Sequence, residues 1–173
     1  MARDILVSIL SDDLFSLNWM SMLIVRDWRT RVLAEAGLIN PPEKEAGESI
    51  QFADVIVADL DSFVQNINLF NILNQYLAEN PSLIAIGVGS KIEPLFFQRI
   101  SAGNIGGYLL KSEISSSLAW AVSFAYKGSL VFTPDAYRAA FKFGFSSEKP
   151  VRVVRSRIYP GMTDRQSEIA RLA

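Results

Sequence analysis

Strand-like apolar runs alternate with helix-spaced segments through roughly the first 130 residues, and few architectures satisfy that alternation. Five such runs are present: Ile5-Leu6-Val7-Ser8-Ile9-Leu10, Val32-Leu33-Ala34, Val55-Ile56-Val57-Ala58, Leu83-Ile84-Ala85-Ile86 and Gly107-Tyr108-Leu109-Leu110. Between them, three sets of largely apolar positions recur near the 3.6-residue period. The first is Leu17, Met20, Ser21, Ile24, Val25 and Trp28, and the second is Leu69, Ile72, Leu73, Tyr76 and Leu77, closed by Pro81. The third is Ile114, Leu118, Ala121, Val122 and Ala125, stopped by Gly128. A short helix is predicted around 93–102, while Asn40-Pro41-Pro42 and Gly47 leave few helix formers in 40–52. The expectation is an α/β, doubly wound, five-stranded parallel sheet with helices on both faces.

Three of the runs end in ionisable residues. The first meets Asp12-Asp13, the third meets Asp59, and the fifth meets Lys111. In an open parallel sheet, ligands collect in the crevice beyond the carboxyl ends of the strands. These four residues are therefore expected to converge, with carboxylates for a hard cation and an ammonium for an anion. Each also has a local reading: Asp12 as an N-cap, Asp13 as a first-turn acid, Asp59 as a loop acid and Lys111 as a surface lysine.

The composition narrows the chemistry. The chain has 173 residues, half of them hydrophobic, and a formal net charge of −1. That balance excludes a globally basic nucleic-acid surface. It contains no cysteine and no histidine, which removes disulfides, thiol and histidine nucleophile pairs, histidine zinc sites and the usual general base near neutral pH. No secretory signal and no uncharged run near the ~18 residues of a membrane span are visible. A cytoplasmic chain with no membrane contact is expected.

The remainder divides differently. Thr133-Pro134-Asp135 reads as an N-cap, a proline at the first helical position and a first-turn acid, starting a helix that ends near Gly144. Residues 145–161 carry the breakers Ser146-Ser147, Pro150 and Pro160-Gly161 with Arg152, Arg155 and Arg157, the composition of a solvated linker. Thr163-Asp164-Arg165-Gln166 is a capping box, and the helix it starts breaks off at Ala173, as expected of a chain that continues. The expected division is 1–130, a helical linker over 131–161, and 162–173.

The motifs Ser11-Asp12-Asp13, Asp54-Val55-Ile56-Val57-Ala58-Asp59-Leu60 and Gly107-Tyr108-Leu109-Leu110-Lys111-Ser112 resemble those of response regulator receiver domains of two-component signalling. Residues 162–173 look like the opening of a LuxR-type helix-turn-helix, so the order resembles the NarL/LuxR class of transcriptional regulators. The resemblance implies a flavodoxin-like (CheY-like) fold with strand order 2-1-3-4-5. It implies that Asp59 accepts a phosphoryl group from a histidine kinase, and that Asp12, Asp13, Asp59 and the Asp61 backbone carbonyl hold Mg²⁺. Lys111 would pair with the phosphoryl oxygens, and Tyr108 would be the aromatic switch residue. Homodimerisation is implied through the helix–strand–helix face spanning 93–127, with Phe96, Phe97, Trp120 or Tyr126 contributing. DNA would be met only through the helix-turn-helix.

The chain also departs from that pattern. The strand-four position that carries Thr or Ser in receivers falls on Gly87, or on Gly89 in the alternative register, with Ser90 the nearest hydroxyl. Ser62-Phe63 replaces Met-Pro after the phosphoacceptor. A ligand shifts a conformational equilibrium only through differential affinity, so a missing hydroxyl leaves open an atypical receiver that signals by constitutive dimerisation or another ligand. Asp59-Leu60-Asp61 also resembles the D-x-D motif of haloacid dehalogenase-type phosphatases, but no acidic pair follows the lysine between 112 and 134. Receivers are not counted as enzymes, and that is the expectation here.

Overall fold

The computed structural model describes residues 3–36, 50, 52–65, 68–114 and 116–155. Their strands are β1 (Ile5–Leu10), β2 (Thr30–Ala36), β3 (Val55–Asp59), β4 (Ile84–Gly89), β5 (Ile105–Leu110), β6 (Leu130–Phe132) and β7 (Val151–Val153). The helices are α1 (Leu14–Ile24), α2 (Leu60–Gln65), α3 (Asn68–Glu79), α4 (Pro94–Arg99), α5 (Leu118–Tyr126) and α6 (Pro134–Lys142), with a short 3₁₀ turn at Lys111–Glu113. All strand pairs are parallel, in the order β2-β1-β3-β4-β5-β6-β7.

The expected order 2-1-3-4-5 is therefore present, but the count of five strands is corrected to seven. The added pair comes from residues expected to form a linker. Leu130-Val131-Phe132 joins β5, and Val151-Arg152-Val153 joins β6. Each is only three residues long, too short for a periodic signal. The helix between them does start as read, with Thr133 as N-cap, Pro134 first and Asp135 in the first turn. Residues 162–173 lie outside the described part.

Alternation along the strands sorts side chains into two cores. Ile5, Val7, Ile9, Val55, Val57, Ile86, Val88 and Leu109 face α1 and α5, where Met20, Ile24, Ala121 and Val122 meet them. Ile56, Ala58, Ala85, Tyr108 and Phe132 face the other way, towards Leu60, Phe63, Leu73, Phe96 and Ala140 of the remaining helices. The first helix is shorter than its apolar spacing suggests: it ends at Ile24, and Val25 and Trp28 are exposed.

The join between β5 and β6 depends on Gly107. Its φ is +149°, and a Cβ there would stand 1.8 Å from the Val131 carbonyl oxygen. Further along, Lys149 latches the extension to the sheet. Its Nζ donates to the carbonyls of Gly103 (2.6 Å) and Ile105 (3.1 Å), and burial pushes its pKa down.

Candidate functional site

Because β1, β3, β4 and β5 are adjacent and parallel, their carboxyl ends open on one edge of the sheet. Lys111, directly after β5, reaches back across that edge. Its Nζ lies 2.8 Å from Asp59 Oδ1 and 3.0 Å from Asp61 Oδ2, and it donates to Ser16 Oγ at 3.0 Å. Partial burial opposes the ammonium, but the Asp59 and Asp61 carboxylates outweigh it and hold Lys111 above its ordinary pKa.

Asp59 is buried with 0% of its surface exposed. Besides the ammonium, its Oδ1 accepts from the Asp61 N–H (3.3 Å), and its Oδ2 accepts from the Ser11 hydroxyl (2.7 Å). Asp61 sits at the rim. Its Oδ1 accepts from the Ser90 N–H (2.9 Å), while its Oδ2 accepts from the Ser90 hydroxyl (2.7 Å) and faces Lys111. Burial raises the Asp61 carboxyl, but the two Ser90 donors and Lys111 hold it below the usual range.

Asp13 is the N-cap of α1. Its Oδ2 accepts from the Ser16 N–H (2.9 Å) and the Ser16 hydroxyl (2.6 Å), and Oδ1 accepts from the Phe15 N–H (3.3 Å). The Ser16 hydroxyl and amide lower its pKa, with burial opposing them. Asp12 stays half-buried beside it, its N–H donating to Ser62 Oγ at 3.0 Å. Asp59, Asp61 and Lys111 therefore meet as one group, and Asp13 joins it through two serines: Ser16, which accepts from Lys111, and Ser11, which accepts from the Asp13 N–H (3.2 Å) and donates to Asp59. The capping role falls one residue later than the local reading placed it.

No family model matches the sequence, and no curated protein does. Solved structures do match. The chain is similar to the isolated REC domain of RcsB from Salmonella enterica serovar Typhimurium in the presence of the phosphomimetic BeF3−. Identity there is 19% and the TM-score 0.56, covering 79% of this chain and 98% of that one. It is also similar to the signal receiver domain of the response regulator NarL from Mycobacterium tuberculosis, at 14% identity and TM-score 0.56, covering 73% and 99%. The chain has the receiver fold of response regulators. A structure of two RcsB dimers bound to two parallel DNAs matches at 18% identity and TM-score 0.59, covering 98% of this chain and 76% of that one.

Within this receiver fold, the geometry bears on three expectations. The first concerns the switch position. Val88 pairs with Asp59, and Gly87 pairs with Ala58 one step deeper in the sheet. Gly89 is thus the residue at the rim, and Gly87 packs under Leu60 and the Tyr108 ring, where a Cβ would stand 2.8 and 3.0 Å from their carbons. Tyr108 is fully buried; its hydroxyl donates to the Lys91 carbonyl (2.7 Å) and accepts from the Glu93 N–H (2.9 Å). Burial pushes its pKa up.

The second is the metal. Mg²⁺ takes hard oxygen ligands in octahedral geometry. Here both Asp13 oxygens cap α1, and both Asp59 oxygens are taken by Lys111, Asp61 and Ser11. Among the described residues, no group of three or more carboxylates is arranged to hold a metal ion. A cation placed here would have to share or displace the donors that now hold these oxygens.

The third is the pairing face. β6 occupies the outer edge of β5, and Phe96 is buried at 0% exposure, stacked edge-on to Tyr108. Phe97 packs on Tyr108 and Phe145. Of the four aromatics expected on that face, only Trp120 and Tyr126 of α5 are exposed. No helix among the described residues is long and apolar enough to cross a membrane.

The reading of the sequence gave no role to Ser16 or to the Ser11 hydroxyl, and considered the Asp61 side chain only as the second acid of a D-x-D motif. A signal existed for Ser16: it stands three residues after Asp13, where an N-capped helix places its N3 residue. Asp61 reaches its partners through the fold of the β4–α4 loop, which no local pattern encodes.

Proposed function

We propose that this receiver is an atypical one: a self-associating module of a LuxR-type transcriptional regulator whose output does not require phosphorylation of Asp59. The observation carrying this reading is the closure of Asp59. A carboxylate becomes an acyl phosphate by presenting an oxygen to phosphorus, and here both oxygens already accept strong hydrogen bonds on a residue with 0% exposure. A glycine at the rim of β4 also deprives any phosphoryl group of a hydroxyl at that position.

The Asp59–Lys111 pair at 2.8 Å favours a second reading, in which a histidine kinase phosphorylates Asp59 with Mg²⁺ to drive dimerisation. Incubation with acetyl phosphate and Mg²⁺ separates the two. Unchanged intact mass and unchanged sedimentation are expected; a phosphoryl adduct accompanied by altered association overturns the proposal.

Self-association is assigned to α1 and α5. Leu14, Phe15, Met22 and Val25 on and beside α1, with Trp28 (72% exposed) and Trp120 (49% exposed), leave an apolar surface uncovered. Arg29, in the turn between α1 and β2, stacks on Trp120 of α5 at 4.8 Å. Trp120→Asp is expected to shift sedimentation towards monomer. DNA contact belongs to the segment from residue 162, as the LuxR-like motif suggests.

A further inference from the structure

We infer that Ser90 and Lys111 form an oxyanion-binding seat which the chain fills with its own Asp61 carboxylate, so that the β4–α4 loop is held in an anion-bound arrangement without an external ligand. This inference rests on the reading of the domain as a receiver that works without phosphorylation, and it names the group that replaces the ligand.

Three donors from two strand ends converge on one carboxylate. They are the Ser90 N–H (2.9 Å to Oδ1 and 3.1 Å to Oδ2), the Ser90 hydroxyl (2.7 Å) and the Lys111 ammonium (3.0 Å). A backbone amide, a hydroxyl and a cation aimed at a common point are the components of an oxyanion site, and charge-assisted bonds of this kind are the stronger ones. Asp61 is held from behind as well, since its own N–H donates to Asp59. Its carboxylate thus bridges the end of β3 to the start of the loop after β4.

The rest of the loop is pinned to match. Lys91 and Glu93 are both bonded by the Tyr108 hydroxyl, so the loop is fixed at one end by Asp61 and at the other by Tyr108. Gly89 permits both contacts at once. A Cβ there would stand 3.0 Å from the Tyr108 hydroxyl and 3.4 Å from Asp61 Oδ1, so any side chain would crowd the seat and the switch tyrosine together. The glycine at the rim and the acid two residues after Asp59 are therefore two parts of one arrangement.

The ligand class follows from charge. Lys111 already faces Asp59, so the seat tolerates one further monoanion of carboxylate shape, and a dianion would meet uncompensated repulsion from Asp59. Removing the Asp61 carboxylate should open a cavity that formate refills.

The test is hydrogen exchange at the Ser90 amide, read by NMR on the full chain. In Asp61→Ala, exchange should quicken about tenfold, the loss of one charge-assisted bond, and saturating formate should slow it again, while sodium chloride at equal ionic strength should not. Wild type should not respond to formate, and the response of Asp61→Ala should weaken when Ser90→Ala removes the hydroxyl donor and weaken further when Lys111→Met removes the cation. Unchanged exchange in Asp61→Ala, or an equal response to chloride, overturns the inference; Asp61→Gly provides the same readout if the alanine variant is poorly folded. An acetyl phosphate adduct on wild-type Asp59 accompanied by altered association instead overturns the phosphorylation-independent reading, whatever the formate result, so the two failures are distinguishable.

Discussion

Replacing Lys111 with methionine keeps the length of the side chain and removes the one cation observed between Asp59 and Asp61. The Asp59 side chain is 1% exposed, Lys111 19% and Asp61 36%. Breaking a buried ion pair by deleting one partner costs about 3–5 kcal/mol, because the other charge stays buried without compensation. Water reaches Asp61 and screens part of that loss, so about 2–4 kcal/mol is the working figure. For a chain of this size each kcal/mol moves Tm by roughly 2–4 °C, giving a drop of about 5–15 °C at pH 7. Urea and thermal melts read by circular dichroism measure it. Adding Asp59→Asn removes the stranded charge and should recover about half the loss, a coupling within the usual range for residues in contact. The reasoning is refuted if Lys111→Met melts within about 0.5 kcal/mol of wild type, or if the two substitutions simply add.

Phe132→Ala tests whether β6 belongs to the core: a fully buried phenylalanine should cost about 3–5 kcal/mol in urea melts, against almost nothing in a linker. Gly107→Ala should cost at least about 3 kcal/mol, measured the same way, since its positive φ and the Val131 carbonyl both oppose a side chain. The Arg29 side chain, with burial opposing it, holds the Asp27 carboxyl below its ordinary value of 3.8. That contribution is present above pH 3.8 and is lost as pH falls through the lower folded value, so Asp27→Asn should flatten the acid limb of a stability–pH curve. Lys111 is shifted the other way, above 10.5; its contribution is complete below that pH and fades as pH rises past it, so Lys111→Met should flatten the alkaline limb.

The sheet was legible where strands are long and covered on both faces, because burial on both sides turns β1, β3, β4 and β5 into apolar runs. β6 and β7 escaped because three-residue strands carry no period, and because β7 is exposed along its length, as a linker would be, with Arg152 stacked on Phe124. Convergence of Asp59 and Lys111 could be read from strand ends alone. The orientation of side chains there could not. Asp13 turns to its own helix because two N–H groups and the Ser16 hydroxyl lie within reach, and Asp61 turns to Ser90 because the β4–α4 loop brings donors to it.

Val154 is buried against the α1/α5 side of the sheet and its N–H donates to the Phe132 carbonyl. The backbone is therefore anchored almost to residue 155. Whatever is attached beyond this anchor departs from a fixed point on the α1/α5 side of the sheet. Cutting that anchor, by a substitution at Val154 that its buried site cannot hold, would move the point of departure back towards residue 132 while leaving β1 to β5 intact.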